Sequence, residues 1–175
     1  MTKSKYLIAF FSVLLSFVFI SCESKSLPSL LGSWEAEITL KSELGSKDTG
    51  ENVDAFLFTK QKITLSFSEG GVFTKHIVQK VDRLESNVEF DDVENPEAYF
   101  AQFFNKDLTF DGEYSQKKSY LFFTIETVRE GEDEALSYMD YFVKDPSIGD
   151  DESSSSYEVK DGVLVIDGVN FKKIL

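Results

Sequence analysis

Chemistry at a protein site needs nucleophiles, proton carriers or metal ligands, and this 175-residue chain is poor in them. His76 is its only histidine, so a histidine-based metal cluster cannot be built. A serine triad would need folding to bring a serine and an acid to His76, and no G-x-S-x-G accompanies it. A lone histidine in a strand pattern reads as a structural or surface residue. Carboxylate pairs are plentiful, including Asp91-Asp92 and Asp150-Asp151. Acid–base work needs two carboxylates in different environments facing one cleft; in loops this acidic, adjacency reads as solvated surface. The stretch "DPSIGDDES" offers oxygens to a hard cation such as calcium, but it lacks the D-x-[DN]-x-[DN]-G spacing. No Gly-rich phosphate loop follows a strand and opens a helix. The expectation is a protein without catalysis, metal or cofactor.

The amino end has a different character. Lys3 and Lys5 precede fifteen uncharged residues, "YLIAFFSVLLSFVFI", from Tyr6 to Ile20. As a helix these would rise about 22 Å, short of the ~30 Å hydrocarbon core of a bilayer. A basic start followed by a short apolar run is the pattern of a secretory signal peptide, with an uncleaved signal anchor as the alternative. The run stops at "SCESKS", where Cys22, the only cysteine, stands without an intramolecular partner.

Phe19-Ile20-Ser21-Cys22 resembles the lipobox of bacterial lipoproteins, with Ser21 at the small position and Phe19 where leucine is usual. The resemblance implies that residues 1–21 are a lipoprotein signal peptide cleaved before Cys22. It also implies a diacylglycerol on the Cys22 thiol and an acylated new amino group, palmitate-type chains among them. Such a thiol is lost to nucleophilic or zinc chemistry. With ~0.8 kcal/mol per buried methylene, a triacylated end anchors a chain permanently. Residues 22–30, "CESKSLPSL", then read as lipidated cysteine and tether, broken by Pro28. The implied location is the bacterial cell envelope, lipid-anchored to the outer membrane or cell surface.

Residues 31–175 have the size of one domain. The formal charge is −13; without residues 1–21, which carry Lys3 and Lys5 and no acid, it becomes −15. So acidic a surface repels nucleic acid and anionic headgroups, and leaves room for a basic protein partner. Of seventeen phenylalanines, those at 10, 11, 17 and 19 lie in the apolar start, leaving thirteen for the domain. At about 1.5–3 kcal/mol each on burial, they suffice for one core, or for a core with an apolar cavity.

Period-2 alternation recurs along the domain. Trp34, Ala36, Ile38 and Leu40 point one way in "SWEAEITLK", and Ile63, Leu65 and Phe67 do so in "QKITLSF". "SEGG" at 68–71 reads as a hairpin turn into "VFTKHIVQKV", whose alternation is poor. "GEYSQKKSYLFFTIETV" reads as two strands about "SQKK", and "LSYMDYFVK" as another strand. Asp161-Gly162 and Asp167-Gly168 each suit the positive φ angles of a type I′ turn, so three short strands close the chain. Residues 43–54, 82–99 and "DPSIGDDESSSS" read as acidic loops, "SSSS" itself as a flexible linker. Pro96 to Phe104 reads as one short helix with Tyr99, Phe100, Phe103 and Phe104 packed inward. Eight or more short strands at hairpin spacing predict an all-β antiparallel barrel or sandwich.

At this point "LLGSWE" resembles the G-x-W opening of the lipocalins, with Gly32 and Trp34 as the signature. The order of G-S-W strand, "FSEGGVFT" hairpin, "GEY" strand and terminal "YEVKDGVLVI…FKK" hairpin is similar to bacterial lipocalin-like lipoprotein domains over residues 30–175. The resemblance implies an up-and-down barrel of about eight strands with the Trp at its closed end. It also implies a basic residue of the last strand covering that Trp. The only arginines, Arg83 and Arg129, lie elsewhere, which leaves Lys172 or Lys173. An eight-stranded interior either fills with side chains or holds one small ligand. Phe67, Phe73, Phe123, Tyr141 and Phe171 are the candidates for it, as core or as the wall of a hydrophobic ligand cavity. The expected function is binding of a small hydrophobic ligand; the alternative is a protein-interaction module using the acidic loops or "FAQFF".

Overall fold

The computed structural model describes residues 27–44, 55–87, 90 and 93–174. The signal and lipid-anchor readings, including Cys22, lie outside the described residues, as do most of the 43–54 loop and the Asp91-Asp92 pair. The alternating stretches form strands as expected. β1 (Gly32–Glu43) runs antiparallel to β2 (Ala55–Ser68), from Gly32 opposite Phe67 to Glu43 opposite Phe56. Gly70 and Gly71, at φ 84° and 81°, turn the chain into β3 (Val72–Ser86). Few residues other than glycine adopt those angles cheaply.

Helix α1 (Pro96–Phe104) follows, with the expected boundaries. Pro96 sits in its first turn and the Asn95 side chain accepts from the Ala98 N–H, which caps one free donor. Then come β4 (Lys106–Lys117), β5 (Tyr120–Glu130), a two-residue β6 (Leu136–Ser137) and helix α2 (Tyr138–Lys144). A 3-10 turn at Pro146–Ile148 leads into β7 (Glu152–Lys160), β8 (Val163–Ile166) and β9 (Val169–Lys173). Both Asp-Gly pairs connect these last strands with positive φ at each residue, as the type I′ reading requires.

Neighbours in the sheet run β4-β3-β2-β1-β9-β8-β7-β5, and β5 pairs back to β4, so eight antiparallel strands close into a barrel with β6 attached to β5. Leaving aside the two-residue β6, every strand lies beside its chain neighbour, which makes the barrel up-and-down. Closure depends on a short seam: Trp34 opposite Lys173, Glu35 opposite Lys172, and the Ile174 N–H donating to the Ser33 carbonyl at 2.9 Å. One end of the interior is packed solid around Trp34, Phe67, Leu121 and Leu164, each at most 3% exposed. The Trp34 indole N–H donates to the Leu30 carbonyl at 2.7 Å, and Lys173 places its ammonium 5.3 Å from the ring centroid. The last strand thus does cover Trp34 with a basic residue, a lysine. Leu30, at the end of the tether reading, is itself fully buried.

Several sequence expectations are corrected. "LSYMDYFVK" is a strand only at Leu136–Ser137; the rest is α2, because Ser137 accepts from the Asp140 N–H as an N-cap and Tyr138, Tyr141 and Phe142 share one helical face. "SSSS" is no linker but the first half of β7, paired with β5 from Ser156 opposite Tyr120 to Ser153 opposite Phe123. The β4–β5 turn falls at Lys118-Ser119, beyond the "SQKK" centre, with Lys118 at φ 56°. β3 extends through Ser86 into the predicted acidic loop. The aromatics of α1 are only partly packed inward: Tyr99 and Phe103 are 44% and 59% exposed, whereas Phe100, edge-on to Phe90, and Phe104, at the rim of the barrel's open end, are half-buried. The helix is also tied to β3 through its backbone and polar groups, Gln79 Nε2 donating to the Phe104 carbonyl and the Leu84 N–H to Glu97.

Gly112, the glycine of "GEY", marks a register shift between Asp111 and Gly112 where β4 presses on β5. A Cβ here would lie 2.0 Å from the Thr124 carbonyl oxygen. Gly112→Ala should therefore lower stability by about 2–3 kcal/mol. Urea denaturation checks this, and an unchanged midpoint would remove the steric account of this motif.

Candidate functional site

Above the packed end the barrel is hollow. A compartment of about 220 Å³ is walled chiefly by Ile63 and Leu65 of β2, Phe73 of β3, Phe123 of β5, Ile166 of β8 and Phe171 of β9. The register explains the choice of side chains. Leu65 lies opposite Lys75, Ile63 opposite Ile77 and Phe67 opposite Phe73, so alternate residues of both strands face one interior. Toward the open end lies a second space of about 450 Å³, with a more polar wall that includes Thr59, Gln61, Gln79, Lys106 and Ser147. The two spaces share Lys75 and Ile125. The lower one also reaches Ser153, Ser155 and Asp167. There β8 is too short to cover the start of β7: β7 pairs with β8 only from Tyr157 onward.

Three of the five aromatic candidates, Phe73, Phe123 and Phe171, line the apolar compartment. Phe123 sits edge-on to Phe73 with centroids 4.9 Å apart, and 6.4 Å from Phe67. Phe67 is buried below it, T-shaped against Tyr114 at 4.8 Å, and belongs to the packed end. Tyr141 is placed elsewhere. It is buried on α2 in a second cluster with Leu108, Phe110, Val128 and Tyr138, and borders neither space. Helix α2 takes Tyr141 out of the strand register on which its interior placement depended.

His76 follows Lys75 on the same strand and so points outward. It is half-exposed, with Nε2 2.8 Å from Asp107 Oδ1, on the opposite side of the sheet from the cavity. Among the described residues no three His, Cys, Asp or Glu side chains converge as a metal site. Asp150 is exposed, and Asp151 uses its backbone carbonyl to accept from the Ile125 N–H.

Lys75 was missed in the sequence, although the signal was present: Phe73 and Ile77 flank it at period 2 and carry it inward. It lies opposite Leu65, with its ammonium 5.8 Å from the Phe110 ring centroid. Burial among apolar groups pushes its pKa down, since the charged form loses hydration. Among the described residues no carboxylate pairs with it. Lys106, the other lysine on these walls, is paired: its ammonium lies 2.9 Å from Asp145 Oδ2 and 3.2 Å from Ser147 Oγ.

No family model matches the chain, and no curated protein matches it. Among the described residues no helix is long and apolar enough to cross a membrane.

The Asp145 network holds the 3-10 turn at the open end. Hydrogen bonds from Ser147, and then from the Lys106 ammonium, hold the Asp145 carboxyl down at about 2 against an ordinary 3.8. A folded-state value below the unfolded one means stability that is complete above about pH 5 and lost as pH falls toward about 2. Asp145→Asn should cost about 1 kcal/mol at neutral pH and flatten the acid limb of the stability curve. Thermal melts from pH 6 to pH 2 check this; parallel curves for the two proteins would exclude the carboxylate as the cause.

Proposed function

We propose that the chain is an exported, lipid-anchored carrier of the bacterial cell envelope whose barrel lumen binds a small hydrophobic ligand without catalysis. The observation that carries this reading is the unfilled apolar compartment lined by Phe73, Phe123 and Phe171. Large aromatics fill an eight-stranded barrel readily, and a barrel stabilised only by packing would use them to close this space. Here they line it, while Trp34 and Phe67 seal the end below. Together with the more polar space above, the lumen falls in the size range of small-molecule sites, about 300–1,000 Å³. The lone histidine points away from the lumen, which supports binding over acid–base chemistry. The lipobox-like Phe19-Ile20-Ser21-Cys22 supports the anchor.

A second reading, a protein-interaction module, draws on one observation. Tyr99 and Phe103 on α1 stand exposed and stacked edge-on, with centroids 5.2 Å apart. It would make the lumen incidental.

Native mass spectrometry of the full-length chain distinguishes the two. A carrier leaves the membrane with an added mass that disappears on denaturation. A bare mass, unchanged after incubation with a lipid extract, would defeat the carrier reading. The anchor is tested separately with Cys22→Ala, which should abolish cleavage, acylation and stable membrane attachment. Unchanged processing and fractionation of that variant would refute it.

A further inference from the structure

Lys75 stands at the boundary between the two spaces of the lumen, with a largely apolar wall below it and a mixed wall above, where Thr59, Gln61 and Gln79 stand beside Ile77, Leu108 and Phe110. Apart from the Phe110 ring, it has no hydrogen-bond or ion-pair partner among the described residues. The charged neighbours on the same walls are already engaged. Lys106 is held by Asp145, and Asp167 Oδ1 accepts from the Ser156 N–H and hydroxyl at 2.8 and 3.0 Å. A cation enclosed in this way is costly, because the surroundings replace neither its hydration nor its counter-ion. A strand built only to fill a core would carry leucine or methionine at this inward position.

We propose that the bound ligand is a single-chain carboxylate amphiphile, its head group paired with Lys75 and its chain lying in the apolar compartment. The inference rests on the lumen-binding reading above and names the class of molecule the lumen takes. Position sets the orientation: the cation marks the edge of the apolar compartment, so a head group there leaves the chain against Phe73, Phe123 and Phe171. Size sets the number of chains, because about 220 Å³ has no room for the pair carried by a membrane phospholipid. The charge fits as well: the other ammonium on these walls, that of Lys106, is held by Asp145, so Lys75 calls for a head group with a single negative charge, as a carboxylate has. The acidic surface repels anions at long range, but at physiological ionic strength that field fades over about 8 Å, and the low-dielectric lumen strengthens the local pair.

The test uses the full-length chain in phosphatidylcholine nanodiscs, with uptake by empty discs subtracted. Decanoic acid and methyl decanoate are titrated by calorimetry against the wild type, Lys75→Met and Lys75→Arg. The expected result is acid binding at least tenfold tighter than ester in the wild type. Lys75→Met should abolish that preference and leave ester affinity unchanged, and Lys75→Arg should retain it. Lys75→Met should also melt at a higher temperature than the ligand-free wild type, because an uncompensated charge is removed; this shows that the variant folds. Equal binding of acid and ester by the wild type would overturn the head-group assignment and leave the lumen reading standing. Binding of neither probe would overturn both.

Discussion

Closure of the sheet on itself is the constraint on which the rest of this structure depends. An open eight-stranded sheet would present two unpaired edges, and each exposed strand edge is a template for pairing with another chain. The barrel joins them at one end with a seam of two residue pairs and one further hydrogen bond, between the first strand and the last. So short a seam is held in place by its position. Trp34 lies on it, packed among the least exposed side chains of the molecule, with its indole satisfied by Leu30 and its ring covered by Lys173 of the closing strand. The aromatic plug and the seam are therefore one device, and burial of the tryptophan fixes the register in which the last strand returns.

That arrangement also explains why the barrel is solid at one end and hollow above. β8 and β9 are four and five residues long, whereas β1, β2 and β3 run to twelve or more. The short strands close the barrel only around the plug. Beyond them the long strands continue, and the interior widens into a space that side chains do not fill. There hydroxyl and amide side chains join the aromatic and aliphatic ones, with Lys75 where the two spaces meet. An apolar wall with a cation that has no ionic partner among the described residues is a poor core and a good binding surface, because a ligand supplies the missing contacts and the missing charge together.

Much of this was legible from local pattern. The G-S-W strand, the two Asp-Gly hairpins and helix α1 with its proline start follow from short-range rules of alternation, turn angle and capping, and the structure bears them out. The failures have separate causes. "LSYMDYFVK" supports period 2 and period 3.6 alike, and the Ser137 cap decided for the helix. "ESSSSYEVK" has no apolar alternation in its first half and became a strand because β5 offered an edge to pair with. The α1 aromatics lie at the rim of the upper space and not in the core, so Phe100 and Phe104 are half-buried and Tyr99 and Phe103 exposed.

The sequence by itself determined that the chain is all-β, where most strands begin and turn, and that ordinary catalytic chemistry is poorly provided for, with one histidine and one cysteine. Those are properties of composition and of neighbours within a few positions. Only the tertiary structure decided that the barrel is hollow, that Phe73, Phe123 and Phe171 meet around one space, and that Lys75 faces it without an ionic partner among the described residues while Tyr141 does not face it at all. The volume of an interior is what remains when side chains from distant strands are brought together. No local pattern records how completely they fill it.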